Sequence, residues 1–570
     1  MAEEVWMLQT KKADFKQIGA RFRIDPVTAR IIRNRGIEGE AAIDRYLNGT
    51  LDDLYDPMLL KDMERAVSIL CEAVDTGKKI RIVGDYDIDG VCSTYILLQA
   101  FERLGSDVDF EIPDRIKDGY GINESIIEQA HADGVEVILT CDNGISAFHQ
   151  VELAKKYGMT VVITDHHEVP LDGEKEKIPP ADAVIDPKQA DCPYPFPEIC
   201  GAVVAYKLVQ VLYARRGVPQ MEWLDLLEFA AIATVGDVMK LQDENRILVK
   251  YGLKKMAQTK NLGLRRLAEK NNLDLGAITA YHIGFVIGPC LNAGGRLKTA
   301  KEALALLRAQ SEEEAERLAE ELKELNDTRK DMTEQGTEAA KLQVENWYQK
   351  DKVLVVFLPE CHESLAGIIA GRLREYYQKP AIVLTRGEEA VKGSGRSIDE
   401  YHMFKKLTEV SDLLLKFGGH PLAAGLSLEE KNIDEFRRRL NENAGLTEED
   451  FKAKVWIDVP MPVGYVTERL VRELSCLEPF GQGNEKPLFA EKSLRIRASR
   501  VLGRNRNVVK MTLEETDGHA IEALYFGDGT AFEEERAGRR EIDVVYYPDI
   551  NEYNGRKTLQ AVIRRYKFRG

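Results

Sequence analysis

From Lys79 onward, short apolar runs alternate with amphipathic stretches: IRIV (80–83), a helical pattern from Ser93 to Leu104, VEVILT (135–140), AFHQVELAKKYG (147–158) and TVVIT (160–164). The apolar runs are near-continuous, as a strand covered on both faces requires. Their alternation with helical segments predicts a parallel sheet with crossover helices. Residues 205–308 read as helical throughout, LLEFAAIATVG (226–236) being one example, and extend that layer. Ser311 then opens a charged segment with Leu318, Leu322, Leu325 and Met332 on one side, which predicts a single long helix over roughly 311–345. Its Glu, Lys and Arg residues are best read as a solvated face.

A second α/β pattern follows in KVLVVFL (352–358), LAGIIAGRLREYY (365–377), AIVLT (381–385) and VKGSGRS (391–397). Because it recurs after the long helix, it predicts a separate domain. The period then changes again: LRIRASRVLG, VVKMTLEE, AIEALYFG, EIDVVYYP and TLQAVIRRYKF are separated by polar turns. Five strands so spaced predict a small antiparallel barrel, with the OB-fold as its leading form. The fold class expected is therefore α/β followed by a β-barrel.

Composition narrows the function classes. The 570 residues suffice for about three to five domains at ~100–200 residues each. Lys plus Arg number 79 against 95 Asp plus Glu, a formal charge of −16, which argues against a protein that coats DNA non-specifically. A nucleic-acid enzyme of this charge must confine its cations to the substrate path and answer its carboxylates with metal ions. Eight cysteines stand far apart without a C-x-x-C pair and read as reduced thiols. No apolar run approaches the ~20 residues of a bilayer span, and the first residues lack the layout of a secretory signal; the expectation is a cytoplasmic protein without a membrane partner.

The chemistry concentrates at strand ends. GDYDIDG places Asp85, Asp87 and Asp89 directly after IRIV; VEVILT leads to Cys141-Asp142-Asn143-Gly144; TVVIT leads to Asp165-His166-His167. Carboxylates this close repel one another, so holding them together calls for positive charge, most economically a hard divalent cation such as Mg²⁺ or Mn²⁺. One acidic turn is common; three in succession, the last with two of only nine histidines, point to a metal centre. Asp237, after the apolar helical stretch, is weak alone and completes a set large enough for two ions at ~3.5–4 Å.

GDYDIDG, TCDNGIS, TDHH and Asp237 resemble motifs I to IV of the DHH phosphoesterase superfamily, in the order and spacing of the RecJ family of single-strand-specific exonucleases. LYDPMLLKDME (54–64), PDRIKDGYGIN (113–123), NAGGRL (292–297), GSGRS (393–397), FGGHPLAAG (417–425) and LEPFGQGNEKPLF (477–489) resemble that family as well. The resemblance implies an N-terminal extension over 1–75 packing on a DHH domain at 76–308, a connecting helix at 309–346, a DHH-associated domain at 347–450 and an OB-fold nucleic-acid-binding domain at 451–570. It implies 5′-to-3′ release of mononucleotides from single-stranded DNA, with two Mn²⁺ or Mg²⁺ ions, in recombination and repair. A helicase and a single-strand-binding protein are candidate partners, and the expected state is a monomer.

Carried over by position, Asp85, Asp87, Asp89, Asp142, His166 and Asp237 would form the metal site, with Asp89, Asp142 and His167 catalytic and His167 facing the scissile phosphate. Arg296, Ser394, Arg396, Ser397 and His420 would line the DNA path in phosphate-cradling loops. In the barrel Arg504, Arg506 and Lys510, near Tyr525 and Phe526, suit single strands, although strand aromatics also build cores. Cys92, Cys290 and Glu363-Ser364 depart from the family pattern outside the ligand positions. Two rival readings are a DHH phosphodiesterase acting on cyclic dinucleotides or short RNA oligomers, to which a nucleic-acid-binding barrel adds little, and a non-catalytic DNA-binding scaffold, which has no use for a full ligand set.

Overall fold

The computed structural model describes residues 4–553 and 555–569. They form two compact units, one of residues 54–240 and 244–453, the other of residues 4–53, 241–243 and 454–569. Among the described residues no helix is long and apolar enough to cross a membrane.

In the first unit the apolar runs become strands β1 (Ile80–Val83), β2 (Val108–Glu111), β3 (Val137–Cys141), β4 (Thr160–Thr164) and β5 (Ala183–Ile185). They lie in the order β2-β1-β3-β4-β5, and every neighbouring pair is parallel. Every residue of β1 and β3 is buried, which is why their sequences carry no polar alternation. Helix α1 (Ile88–Arg103) leaves β1, and α2 (Gly201–Arg216) and α3 (Leu227–Gly236) add to the same body. The chain runs from β1 outward to β2 and then returns to β3 on the opposite side. The carboxyl ends of β1 and β3 therefore flank a topological switch point, the crevice where open α/β sheets hold ligands.

Helix α4 (Gly288–Leu297) and the long helix α5 (Glu312–Gln343) lead to the second sheet. Ser311 caps α5 by accepting from the Glu314 amide at 3.2 Å, and Leu318 and Leu322 face inward. Its charges pair along and beside the helix, as in Arg317–Glu321 and Lys270–Glu316. The second sheet comprises β6 (Leu354–Phe357), β7 (Ala381–Arg386), β8 (Val391–Arg396), β9 (Leu414–Gly419) and β10 (Ala423–Leu428), with α6 (Glu363–Tyr377) crossing from β6 to β7. Its order is β9-β10-β8-β7-β6, and only β6 and β7 run parallel. No helix separates β7 from β8, so the chain turns back directly and the sheet becomes mixed.

The second unit holds a short strand β11 (Val459–Pro460) and five long ones: β12 (Phe489–Leu502), β13 (Val508–Glu514), β14 (Ala520–Phe526), β15 (Glu541–Tyr553) and β16 (Arg556–Phe568). The order is β11-β12-β13-β14-β16-β15, and β15 pairs again with β12, so the five long strands close a ring. One pair in that ring, β14 with β16, is parallel.

The N-terminal extension is divided between the units. Residues 54–75 stay with the first, but residues 4–53 belong with the barrel. The reason is apolar burial: Ile31, Ile32, Ile43 and Tyr46 share one core with Met461, Leu470, Phe489, Met511 and Tyr546. A buried ion pair fixes the arrangement, Arg35 Nη1 lying 2.6 Å from Asp458 Oδ1 and Nη2 lying 3.2 Å from Oδ2. Asp458 also accepts from the Leu488 amide at 3.1 Å, and its carbonyl accepts from Asn34 at 3.0 Å. Replacing Asp458→Ala leaves the Arg35 guanidinium buried without its counter-charge, a loss of about 3–5 kcal/mol. Urea denaturation followed by far-UV circular dichroism should show that destabilisation; a change under ~1 kcal/mol would mean the pair behaves as an exposed one.

Candidate metal centre and anion cleft

The chain leaves β1 as Gly84-Asp85-Tyr86-Asp87 and enters α1 at once. Asp87 caps that helix, its Oδ1 accepting from the Asp89 amide at 2.9 Å and the Gly90 amide at 3.2 Å. Asp89, in the first turn, turns to the start of α2, where it accepts from the amides of Gly201 and Ala202, both at 2.7 Å. Gly201 is required there, because a Cβ would stand 2.7 Å from the Cβ of Asp142. Asp142 follows β3 with φ of +62°, a left-handed conformation uncommon outside Gly and Asn/Asp. Asn143 ties the ends of β1 and β3, donating to the carbonyls of Val83 at 3.0 Å and Cys141 at 2.9 Å.

These turns bring the carboxylates and imidazoles together. His166 Nε2 lies 3.0 Å from Asp142 Oδ1, 3.4 Å from Asp89 Oδ2 and 3.9 Å from Asp237 Oδ2. Three sets of donor atoms each fall within 4.8 Å of one another: Asp142, His166 and His167; Asp89, His166 and Asp237; and Asp85, Asp87 and Asp142. Asp142 and His166 are each shared by two sets, so all six positions expected as ligands, together with His167, form one cluster.

The electrostatics are those of a charge-starved site. Burial, reinforced by the neighbouring carboxylates, pushes Asp85, Asp87 and Asp142 above the usual carboxylate range, and Asp237 to about 8. Burial also depresses His166. It opposes the charged form of His167 too, but the hydrogen bond from its Nδ1 to Asp165 Oδ1 at 2.8 Å prevails and lifts this imidazole to about 9. Asp165 is in turn held by the Ile145 amide at 2.9 Å and kept below the usual range: burial raises it, and His167 outweighs that.

Alongside lies a cleft of about 680 Å³ lined by Arg115, Arg296, Lys392, Arg396 and Lys416, with Glu363 as its single carboxylate among the described residues. Arg296 is held by the Ser364 carbonyl at 3.0 Å and Arg396 by the Gly395 carbonyl at 2.8 Å. Burial, then Arg115 and Arg329, lowers Arg296 to about 10; burial, then Arg374 and Arg115, lowers Arg396. Guanidiniums this buried beside one another lack only an anion.

Of the residues expected on the DNA path, Arg296, Ser394 and Arg396 line this cleft. Ser397 does not: it is buried, and its hydroxyl donates to the Tyr401 carbonyl at 2.5 Å, closing the turn after β8. His420 is exposed in the turn between β9 and β10, outside the lining. Arg504, Arg506 and Lys510 lie in the other unit. The first two are exposed in the turn between β12 and β13, Arg506 donating to Thr530 at 3.0 Å, and Lys510 pairs with Glu522 at 2.8 Å. Sequence reasoning did not single out Arg115, whose guanidinium lies 4.6 Å from the Tyr86 ring centroid. It also missed Tyr120, which donates to the Asp142 carbonyl at 2.8 Å and contacts His167. Both stand in PDRIKDGYGIN, a stretch without periodicity, and its familiar spelling was their only signal.

A five-stranded parallel sheet with carboxylates at its switch point, followed by a mixed sheet bearing a basic cleft, defines a protein of the DHH class, to which this chain adds a barrel. Residues 79–234 match the N-terminal domain of the DHH family, 350–445 the DHHA1 domain and 457–565 the RecJ OB domain. The single-stranded-DNA-specific exonuclease RecJ of Bacillus subtilis is 36% identical over 564 residues, covering 98% of this chain and 70% of that protein. The protein of the same name from Escherichia coli is 34% identical, with 95% of each covered. Among solved structures, RecJ from Thermus thermophilus in complex with Mn²⁺ superposes with a TM-score of 0.84 at 28% identity, over 99% of this chain and 80% of that one. The chain belongs to the RecJ family.

The His167–Asp165 pair has a readable consequence in EDTA-treated protein. The imidazole's pKa is about 9 against an ordinary 6.5, so the pair's contribution to stability is complete below pH ~6.5 and lost as pH rises through ~9. In Asp165→Asn the hydrogen-bonded carboxylate that outweighs burial is gone, and the His167 midpoint should fall from about 9. NMR titration of the imidazole checks this; an unchanged midpoint would assign the shift to another group.

Proposed function

We propose that the protein is a metal-dependent exonuclease that degrades single-stranded DNA from the 5′ end and releases 5′-mononucleotides, in DNA recombination and repair. The observation that carries this reading is the juxtaposition of a buried carboxylate and imidazole cluster with a cleft of guanidiniums that have no carboxylate partner among the described residues. The donor set suits hard divalent cations: oxygen ligands with imidazole, and carboxylates whose charge is otherwise unanswered. Asp85, Asp87, Asp89, Asp142, His166 and Asp237 would hold two ions, Mn²⁺ or Mg²⁺. When bound, such a pair supplies an acidified water and neutralises charge on the phosphodiester oxygens.

The remaining work falls to the chain itself. His167, kept charged by Asp165 and close to Tyr120, would donate to a phosphate oxygen and hold it against the ligand cluster. Arg115, Arg296, Ser394 and Arg396 would grip a terminal 5′-phosphate by charge-assisted hydrogen bonds. Gripping an end restricts cleavage to the nucleotides next to it, which makes the reaction exonucleolytic. The exposed Arg504 and Arg506, with Lys510, would bind more of the strand on the barrel. A monomer suffices for this, acting in the cytoplasm on strands opened by a helicase and coated by a single-strand-binding protein.

Asp142→Ala removes a donor shared by two sets and should lower Mn²⁺-dependent hydrolysis of 5′-phosphorylated single strands by about 10³-fold or more; activity equal to the parent's would exclude the cluster as the reaction centre. Arg396→Ala should raise KM about 10- to 100-fold for 5′-phosphorylated strands and abolish their advantage over 5′-hydroxyl strands, measured by release from end-labelled oligonucleotides. Because burial and mutual repulsion hold four of the carboxylates above their usual range, Mn²⁺ binding at pH ~7 should release protons. Calorimetry in buffers of different ionisation enthalpy counts them, and identical heats in all buffers would contradict the raised carboxylates.

A further inference from the structure

The anion cleft extends beyond the guanidiniums that would grip a 5′-phosphate. Its floor is laid in transverse rows by the register of the second sheet, because residues opposite one another in an antiparallel ladder share a face. In one row Ser394 of β8 stands opposite Gly425 of β10, which stands opposite Gly418 of β9. Two residues along each strand, about 7 Å away, a second row crosses the sheet: Thr385 of β7, Lys392 of β8, Ser427 of β10 and Lys416 of β9. Both rows line the same cleft.

The fold alone does not account for the second row. Lys392 and Lys416 are exposed and pair with no carboxylate among the described residues, Glu363 included, in a chain where 95 acidic residues face 79 basic ones. The Thr385 hydroxyl beside them is buried and has no hydrogen-bond partner among the described residues. Between the rows, packing does not call for glycine at 418 or 425: a Cβ on either would meet no atom within 4 Å, and neither has a positive φ. The bare strip joins the unpaired lysines to Ser394 and Arg396.

We propose that the row of Thr385, Lys392, Ser427 and Lys416 seats the outer phosphates of a strand that ends in a 5′-triphosphate, so that the cleft accepts such ends as well as monophosphates. This rests on the 5′-end reading above and names a further class of end for the same site. In that reading the 5′-phosphate lies on Arg296, Ser394 and Arg396 and the next phosphate lies at the ligand cluster. The strand therefore has no phosphate of its own for this row, and what remains is phosphate added to the 5′ end itself. Two further phosphoryl groups reach about one step of the floor. Ammonium groups on flexible stems suit oxygens that carry charge without a fixed plane, and the Thr385 hydroxyl gains an acceptor. The missing Cβ atoms at 418 and 425 leave the phosphate chain room to lie against the sheet.

The test is equilibrium binding by the full chain in EDTA, read by anisotropy of one DNA single strand labelled at its 3′ end and carrying a 5′-hydroxyl, a 5′-monophosphate or a 5′-triphosphate. The triphosphate strand should bind about 10-fold tighter than the monophosphate strand, or more. Lys392→Gln combined with Lys416→Gln should bring that ratio close to one. Gly425→Val, which fills the floor without changing charge, should lower it too. With Mn²⁺ the first product, identified by chromatography, should be a nucleoside 5′-triphosphate. Water oxygen joins the phosphorus of the first phosphodiester, the bond from that phosphorus to the 3′ oxygen breaks, the 3′ oxygen takes a proton, and the shortened strand keeps a 5′-phosphate. A ratio of one in the parent, equal losses for all three ends in the lysine variant, or release of pyrophosphate would overturn the seat. Displacement of the triphosphate strand by free nucleoside triphosphate near the strand's own Kd would assign the seat to the free nucleotide and overturn the strand end as its occupant. A parent that binds triphosphate strands through these lysines but hydrolyses none with Mn²⁺ would overturn the nuclease reading and leave the seat standing.

Discussion

Mutual repulsion among buried carboxylates is the constraint around which the first unit is built. Asp85, Asp87, Asp89 and Asp142 come from two adjacent strand ends and Asp237 from the end of a helix, and water is largely excluded from most of them. Without counter-charge such a set would drive its carriers apart or remain protonated. The fold holds it in place by other means. Asn143 clamps the two strand ends, the left-handed turn at Asp142 aims that side chain inward, and glycine at 201 lets α2 approach to van der Waals distance.

The acidic well and the basic cleft reconcile the overall charge of −16 with a polyanionic substrate. Most of the acidic excess lies elsewhere, on faces such as that of α5, where it pairs with Lys and Arg in exposed ion pairs worth little individually. The cations that matter are few and unpaired: Arg296 and Arg396 are anchored through backbone carbonyls, which orient a guanidinium without neutralising it. Long-range repulsion of the substrate is screened within a Debye length of ~10 Å at ~0.1 M salt, so attraction inside the cleft governs the encounter.

Much of this was legible in the sequence because strand ends announce themselves. A near-continuous apolar run closely followed by Asp, three times over, locates the parallel sheet, its switch point and the cluster together, and Ser311 marks the start of α5 to the residue. The legibility failed where the determinant is remote contact. Nothing local tells Ile31, Ile32 and Ile43 that their core partners lie more than 400 positions away, so an extension read as one piece over 1–75 carries no sign of the core that residues 4–53 share with the barrel. Ser397 looks like its neighbour Ser394 in GSGRS, but strand alternation turns the one into the fold and the other into the cleft. Arg115 and Tyr120 sit in an irregular loop, where no period distinguishes a functional side chain from a solvated one.

The amide pair at the start of α2 has one further implication. Asp89 is held by the first N–H groups of a helix that begins more than 100 residues later in the chain, and a helix start bears the positive end of its dipole. Backbone therefore answers part of the cluster's negative charge, and the docking of α2 is inseparable from the making of the cluster. A change that unseats the first turn of α2 would therefore be felt at Asp89 and through it across the ligand set, although it touches no ligand side chain.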